Sequence, residues 1–88
     1  MVGVPRHTPA DVQTLATVLR TLRKQKGLSQ EQFAAHAQVD RAYVGGIERA
    51  TRRPSFNVME KLLAALDVPW AEFGAALDRE AKRQFARS

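Results

Sequence analysis

Cysteine is absent from the 88 residues, which removes disulfides, thiolate catalysis and the common structural zinc sites together. A reducing compartment is the natural setting, and a cytoplasmic protein is expected. No apolar run approaches the roughly 18 residues that a bilayer span requires, and Met1 to Ala10 carries no hydrophobic signal core. Nothing here is expected to export or anchor the chain. No strand pattern, internal repeat or low-complexity tract is present, so no glycine-rich phosphate loop follows a strand, and no acidic pair marks a cleft. His7 and His36 lack metal-ligand companions. Ser29, His36 and Asp40 make no credible triad, because the serine and the aspartate are already explained as helix caps. An enzyme is not expected, and no cofactor, metal or small-molecule ligand is implied.

What is there is basic and helical. Lys and Arg number 14 against nine Asp and Glu, giving a formal net charge of +5 and a sequence pI of about 10.5. An anionic partner is favoured, nucleic acid being the commonest for a small basic domain, although charge alone does not decide it. Apolar residues at 44% and charged residues at 26% are ordinary for a globular protein. A chain this short is expected to form one domain over 1–88. It buries only about 60–65% of its unfolded surface, so association would help to stabilise it.

Five helices are predicted after an N-terminal arm over 1–7. Helix 1 spans 8–26: Thr8 caps it, Pro9 takes its first position, Asp11 lies near the positive end of its dipole, and Val12, Leu15, Leu19 and Leu22 recur at helical spacing. Gly27 stops it. Ser29 and Gln32 then form a capping box that Leu28 and Phe33 staple, opening a short second helix. Gln38 and Val39 turn the chain, and Asp40 caps a third helix from Arg41 to about Arg49, with Val44 and Ile47 inward and Arg41, Ala42, Gly45 and Gly46 facing elsewhere. Its two glycines cost about 1 kcal/mol each relative to alanine, so packing must hold it. Ser55 caps helix 4 over 55–67, whose inward face is Phe56, Met59, Leu62, Leu63 and Leu66. Val68 and Pro69 break it. Helix 5 follows over 70–86 with Phe73, Leu77, Ala81 and Phe85 on one stripe.

Helix 2, a tight turn and helix 3, spanning 29–49, have the spacing of a helix-turn-helix that reads DNA. The physical reason is one of fit: a helix is as wide as the major groove, and the N-terminal half of a short one brings a few side chains to base edges. The preceding helix offers its unsatisfied N-terminal amides to a phosphate.

The runs Leu28-Ser29-Gln30-Glu31-Gln32-Phe33-Ala34, Val39-Asp40-Arg41-Ala42-Tyr43-Val44, Ile47-Glu48-Arg49 and Arg52-Arg53-Pro54-Ser55 resemble the Xre family of lambdoid-repressor-like DNA-binding domains. The likeness covers roughly Leu15 to Phe73. Within the family, Asp40-Arg41-Ala42-Tyr43 with Gly46-Ile47-Glu48-Arg49 is most similar to the controller proteins of restriction–modification systems. The resemblance implies an all-α, five-helix, lambda-repressor-like helix-turn-helix fold. It also implies a transcriptional regulator that binds double-stranded DNA as a homodimer on a pseudo-palindromic operator.

Carried over by position, Arg41 would bond guanine O6 and N7 at once, Ala42 would offer only an apolar contact such as a thymine methyl, and Arg52 would reach a base edge. Ser29, Gln30, Tyr43, Arg49 and Arg53 resemble phosphate contacts. Glu48 is expected to be structural, paired with Arg23 by family position. Phe73, Leu77, Ala81 and Phe85 are expected at a dimer interface, with Trp70 an intramolecular anchor. Gln38 and Ala50 depart from the family, standing where relatives commonly have glycine. Gly45 and Gly46 suggest close backbone approach and specificity that rests on arginine and on DNA shape. The rival expectation is a protein-interaction module, antitoxin-like or adaptor, built on the same fold.

Overall fold

The computed structural model describes residues 10–87. Over them the chain folds into α1 (Ala10–Gln25), α2 (Gln30–Ala37), α3 (Arg41–Glu48), α4 (Phe56–Leu66) and α5 (Trp70–Arg87). The expected arm with His7, the Thr8 cap and Pro9 lie outside the described residues. Elsewhere the helix ends fall within a residue or two of the predicted ones.

Polar caps start the middle helices. Ser29 Oγ accepts from the Gln32 amide at 3.0 Å and Gln32 Oε1 accepts from the Ser29 amide at 2.9 Å, completing the capping box of α2. Asp40 Oδ1 takes the Ala42 amide at 3.2 Å, and Ser55 Oγ takes the Val58 amide at 3.2 Å. Each satisfies a donor that the first helical turn leaves unpaired.

One device ends all of the first four helices. After α1 the Leu28 amide bonds back to the Arg23 carbonyl and the Gly27 amide to Lys24, and the same pair of reverse bonds follows α2 (Val39 to Ala34, Gln38 to Ala35), α3 (Thr51 to Gly46, Ala50 to Ile47) and α4 (Val68 to Leu63, Asp67 to Ala64). This is the Schellman ending, which needs its first non-helical residue in the left-handed region. Glycine supplies that conformation only at Gly27 (φ 74°). Gln38 (φ 58°), Ala50 (φ 65°) and Asp67 (φ 57°) adopt it with a Cβ present.

The core lies where the helices converge, with Leu19, Phe33, Val44, Ile47, Leu62 and Leu66 almost wholly buried. Leu28 and Val39, which follow two of the reverse turns, pack against it, and Val68, which follows a third, is part of it. Three expectations are corrected. Phe56 is 66% exposed rather than part of the inward face of α4. It opens the helix, two positions before Val58, the first residue of α4 packed on the core. Phe73 is 4% exposed and belongs to this core, leaving almost no surface for a second subunit. Gly45 and Gly46 are buried rather than open to an approaching ligand, because Arg49 and Arg52 cover them.

Helix α5 lies against α1, with Phe73 in the core and Ala76 and Leu77 packed on it, and the two helices share a polar seam. Buried Thr14 donates to Gln84 Oε1 at 3.3 Å, and Gln84 Nε2 donates to buried Glu80 at 3.1 Å. Trp70 stacks on Phe56 with ring centroids 5.1 Å apart and meets Phe73 edge-on at 6.2 Å, yet remains 44% exposed. Its anchoring is therefore partial.

Candidate nucleic-acid interface

The placement of α3 depends on one buried carboxylate. Glu48 is 3% exposed and Arg23 8%; Arg23 Nε and Nη2 donate to Glu48 Oε2 and Oε1 at 2.7 and 2.9 Å in a two-pronged pair. Arg23 Nη1 also donates to the Leu28 carbonyl at 2.7 Å, and Gln30 Nε2 donates to Glu48 Oε1 at 3.0 Å. The pair thus ties α1, the turn after it, α2 and α3 together. Hydrogen bonding to Glu48 raises the Arg23 pKa above its ordinary value, against the opposing effect of burial. Arg23 therefore stays charged wherever the protein is folded.

The cations of this region, by contrast, are open to solvent. Arg41, Ala42 and Arg49 are exposed, as are Arg52 and Arg53 in the loop that follows, and Ser29 at the start of α2. The lone carboxylate of α3 is Glu48, which is turned inward, so the solvent face of the helix carries no negative side chain. Asp40, just before it, spends an oxygen on the Ala42 amide.

Tyr43 is half-buried, packed against the core. Its hydroxyl oxygen accepts the Ser55 amide at 3.4 Å, leaving its proton for another acceptor. The Arg52 guanidinium sits over the ring, 4.6 Å from its centroid, a cation–π contact. Gln30 is partly committed: its amide nitrogen serves Glu48, while its oxygen lies near Gly45, where the Arg49 guanidinium also rests. The structure therefore gathers Arg41, Ala42, Tyr43, Arg49 and Arg52 on or beside one short helix, with Ser29 and Gln30 at the start of its partner.

A family of domains described as helix-turn-helix matches residues 19–73, more than half of the chain. The chain belongs to the helix-turn-helix family. Among helix-turn-helix relatives, control protein C.MunI from Mycoplasma sp is 40% identical over 63 residues, which are 70% of this chain and 85% of that protein. The restriction–modification controller protein C.AhdI from Aeromonas hydrophila is 45% identical with a TM-score of 0.70, the match covering 73% of this chain and 97% of that one. The controller protein C.Esp1396I, solved as a tetramer in complex with its natural 35 base-pair operator, gives a TM-score of 0.77 at 30% identity, covering 81% of this chain and 93% of that one.

Sequence reasoning missed two features of this helix-turn-helix chain. The exposed Phe56–Trp70 stack was hidden because periodicity assigns Phe56 to the buried stripe of α4. A helix's first residue has no preceding turn to pack beside, and that was the available signal. The second is the way Arg49 and Arg52 fold back over Gly45 and Gly46, which depends on the loop path and has no local signature. Among the described residues no group of three or more His, Cys, Asp or Glu could hold a metal, and none of the helices is long and apolar enough to cross a membrane.

Proposed function

We propose that this chain is a transcriptional regulator that binds double-stranded DNA sequence-specifically, as a homodimer on a pseudo-palindromic operator, in the manner of a restriction–modification controller protein. The observation that carries the reading is the unequal exposure of charge on α3: its single acid is buried on Arg23 while Arg41 and Arg49 stand exposed, with Arg52 and Arg53 beside them. A helix with that charge distribution suits a phosphate-lined groove. The operator complex of C.Esp1396I supports the same assignment.

In this reading Arg41, in the first turn of α3, bonds guanine O6 and N7, Ala42 meets a thymine methyl, and Arg52 reaches a base edge. Ser29, the second N–H of the Gln30 side-chain amide, the Tyr43 hydroxyl, Arg49 and Arg53 hold the phosphates and set the register. Two copies associate through the outer apolar stripe of α5, of which Leu77 is half-buried against the molecule's own core and the rest is exposed. Trp70, Leu77, Ala81 and Phe85 follow one another at spacings of seven, four and four residues, so they share a helix face. Phe56 extends that stripe through its stack on Trp70, and Phe73 drops out of the interface.

The test is Arg41→Ala, measured as binding to a duplex selected by the wild-type protein. The expected result is a loss of about 1–3 kcal/mol confined to one base pair per half-site, with affinity for random duplex falling much less. Equal loss on specific and random DNA would remove Arg41 from base reading. Wild-type binding that is absent, or that does not weaken with added salt, would point to a protein partner instead.

A further inference from the structure

The covered glycines of α3 carry a second consequence. A Cβ built on Gly46 would stand 3.2 Å from Arg52 Cβ and 3.6 Å from Arg52 Nε, while Arg52 Cζ lies 4.6 Å from the centre of the Tyr43 ring. Tyr43 and Gly46 are three residues apart and so lie on one helix face, a turn from each other. The Arg52 side chain therefore starts at Gly46 and runs back along α3 toward its N-terminus, through the volume that a side chain at position 46 would fill. Ala42, four residues before Gly46, lies on the same face, so this path passes beside the position whose methyl contributes no polar group to readout. The loop holds this path. Thr51 bonds the Gly46 carbonyl through both its amide (2.9 Å) and its Oγ1 (3.1 Å), which brings Arg52 up against the helix.

We infer that Gly46 is a specificity-determining position: its missing side chain lets a loop arginine lie along the reading helix and supply, beside Ala42, the charged donor that α3 itself lacks there. The role rests on the DNA-reading assignment made above, and Gly46 acts through Arg52 as a positioning residue. Gly45 stands in a different relation to its cover. The atom nearest a Cβ there is the far end of Arg49, at 3.0 Å, and a flexible tip moves aside easily. Position 46 is the sensitive one because it meets the root of its arginine.

The test compares Gly46→Met, Gly46→Ala and Arg52→Ala, singly and combined, with the wild-type protein. Two readouts are used. In the free protein, the δ-methylene protons of Arg52 should resonate upfield under the Tyr43 ring current, and Gly46→Met should move them back to random-coil positions. On the duplex selected by the wild-type protein, Gly46→Met should weaken binding about tenfold, as a lost base contact does, and Gly46→Ala less. In an Arg52→Ala background, Gly46→Met should change affinity by less than about twofold. Helicity by circular dichroism confirms that each variant folds, and Gly46→Ala, which adds one carbon, keeps the comparison open if the methionine variant does not. The inference is overturned by an unshifted Arg52 in the wild type, or by a Gly46 effect of the same size with and without Arg52. Failure of the wild type to select any duplex, with the Arg52 resonances behaving as expected, would overturn the DNA-reading assignment and leave the packing of Arg52 intact.

Discussion

The Glu48 carboxylate accepts three hydrogen bonds on its two oxygens, from Arg23 Nε, Arg23 Nη2 and Gln30 Nε2, and the residue is 3% exposed. An ion pair so buried adds little net stability relative to an apolar pair of similar volume, but breaking it by removing one partner strands the other charge. Glu48→Ala should therefore cost about 3–5 kcal/mol in denaturant unfolding, a large part of the total for a domain of this size. Arg23→Met combined with Glu48→Leu should recover most of that loss. A Glu48→Ala cost below about 1 kcal/mol would mean that the pair does not hold α3 in place. The pairing of Arg23 with Glu48 is legible only through family position, since 25 residues separate them. No local spacing rule connects residues so far apart.

Among the helices, the repeated ending is the feature open to test. An L-residue in the left-handed region is strained by roughly 1–2 kcal/mol, and Ala50 has no polar side chain to offset it. Ala50→Gly removes the strain and gives back part of it through the freer unfolded chain. The net expectation is a gain of about 0.5–1 kcal/mol, seen as a melting temperature higher by several degrees at fixed protein concentration. Gln38→Gly should act in the same direction. A drop in melting temperature for either variant would contradict the left-handed assignment. These two residues were visible in the sequence as departures from a glycine pattern, and the caps Ser29, Asp40 and Ser55 from their side-chain chemistry. The burial of Phe73 and the exposure of Phe56 were not. Helical periodicity gives the direction of a side chain around its own axis, whereas burial depends on which neighbour lies opposite, a fact of tertiary packing.

For the whole molecule, size and charge set the terms. A chain of 88 residues has a small core, and the Phe56–Trp70 stack leaves aromatic surface in water that a second copy would cover. Phe56→Ser with Trp70→Ser should shift the protein from dimer to monomer in sedimentation at micromolar concentration and weaken operator binding at least about tenfold, while α1–α4 stay folded. A wild-type protein that is monomeric at those concentrations would remove this interface. Dimerisation matters for reading because two copies of α3 facing one side of a duplex must meet half-sites about 34 Å, or 10–10.5 base pairs, from centre to centre. Selection of bound fragments from random duplex DNA by the wild-type protein measures that directly. The predicted outcome is an enriched pseudo-palindrome with that spacing and a guanine in each half-site that Arg41→Ala no longer distinguishes. Recovery of no common sequence, or of one whose guanines are indifferent to Arg41, would contradict a DNA-reading α3.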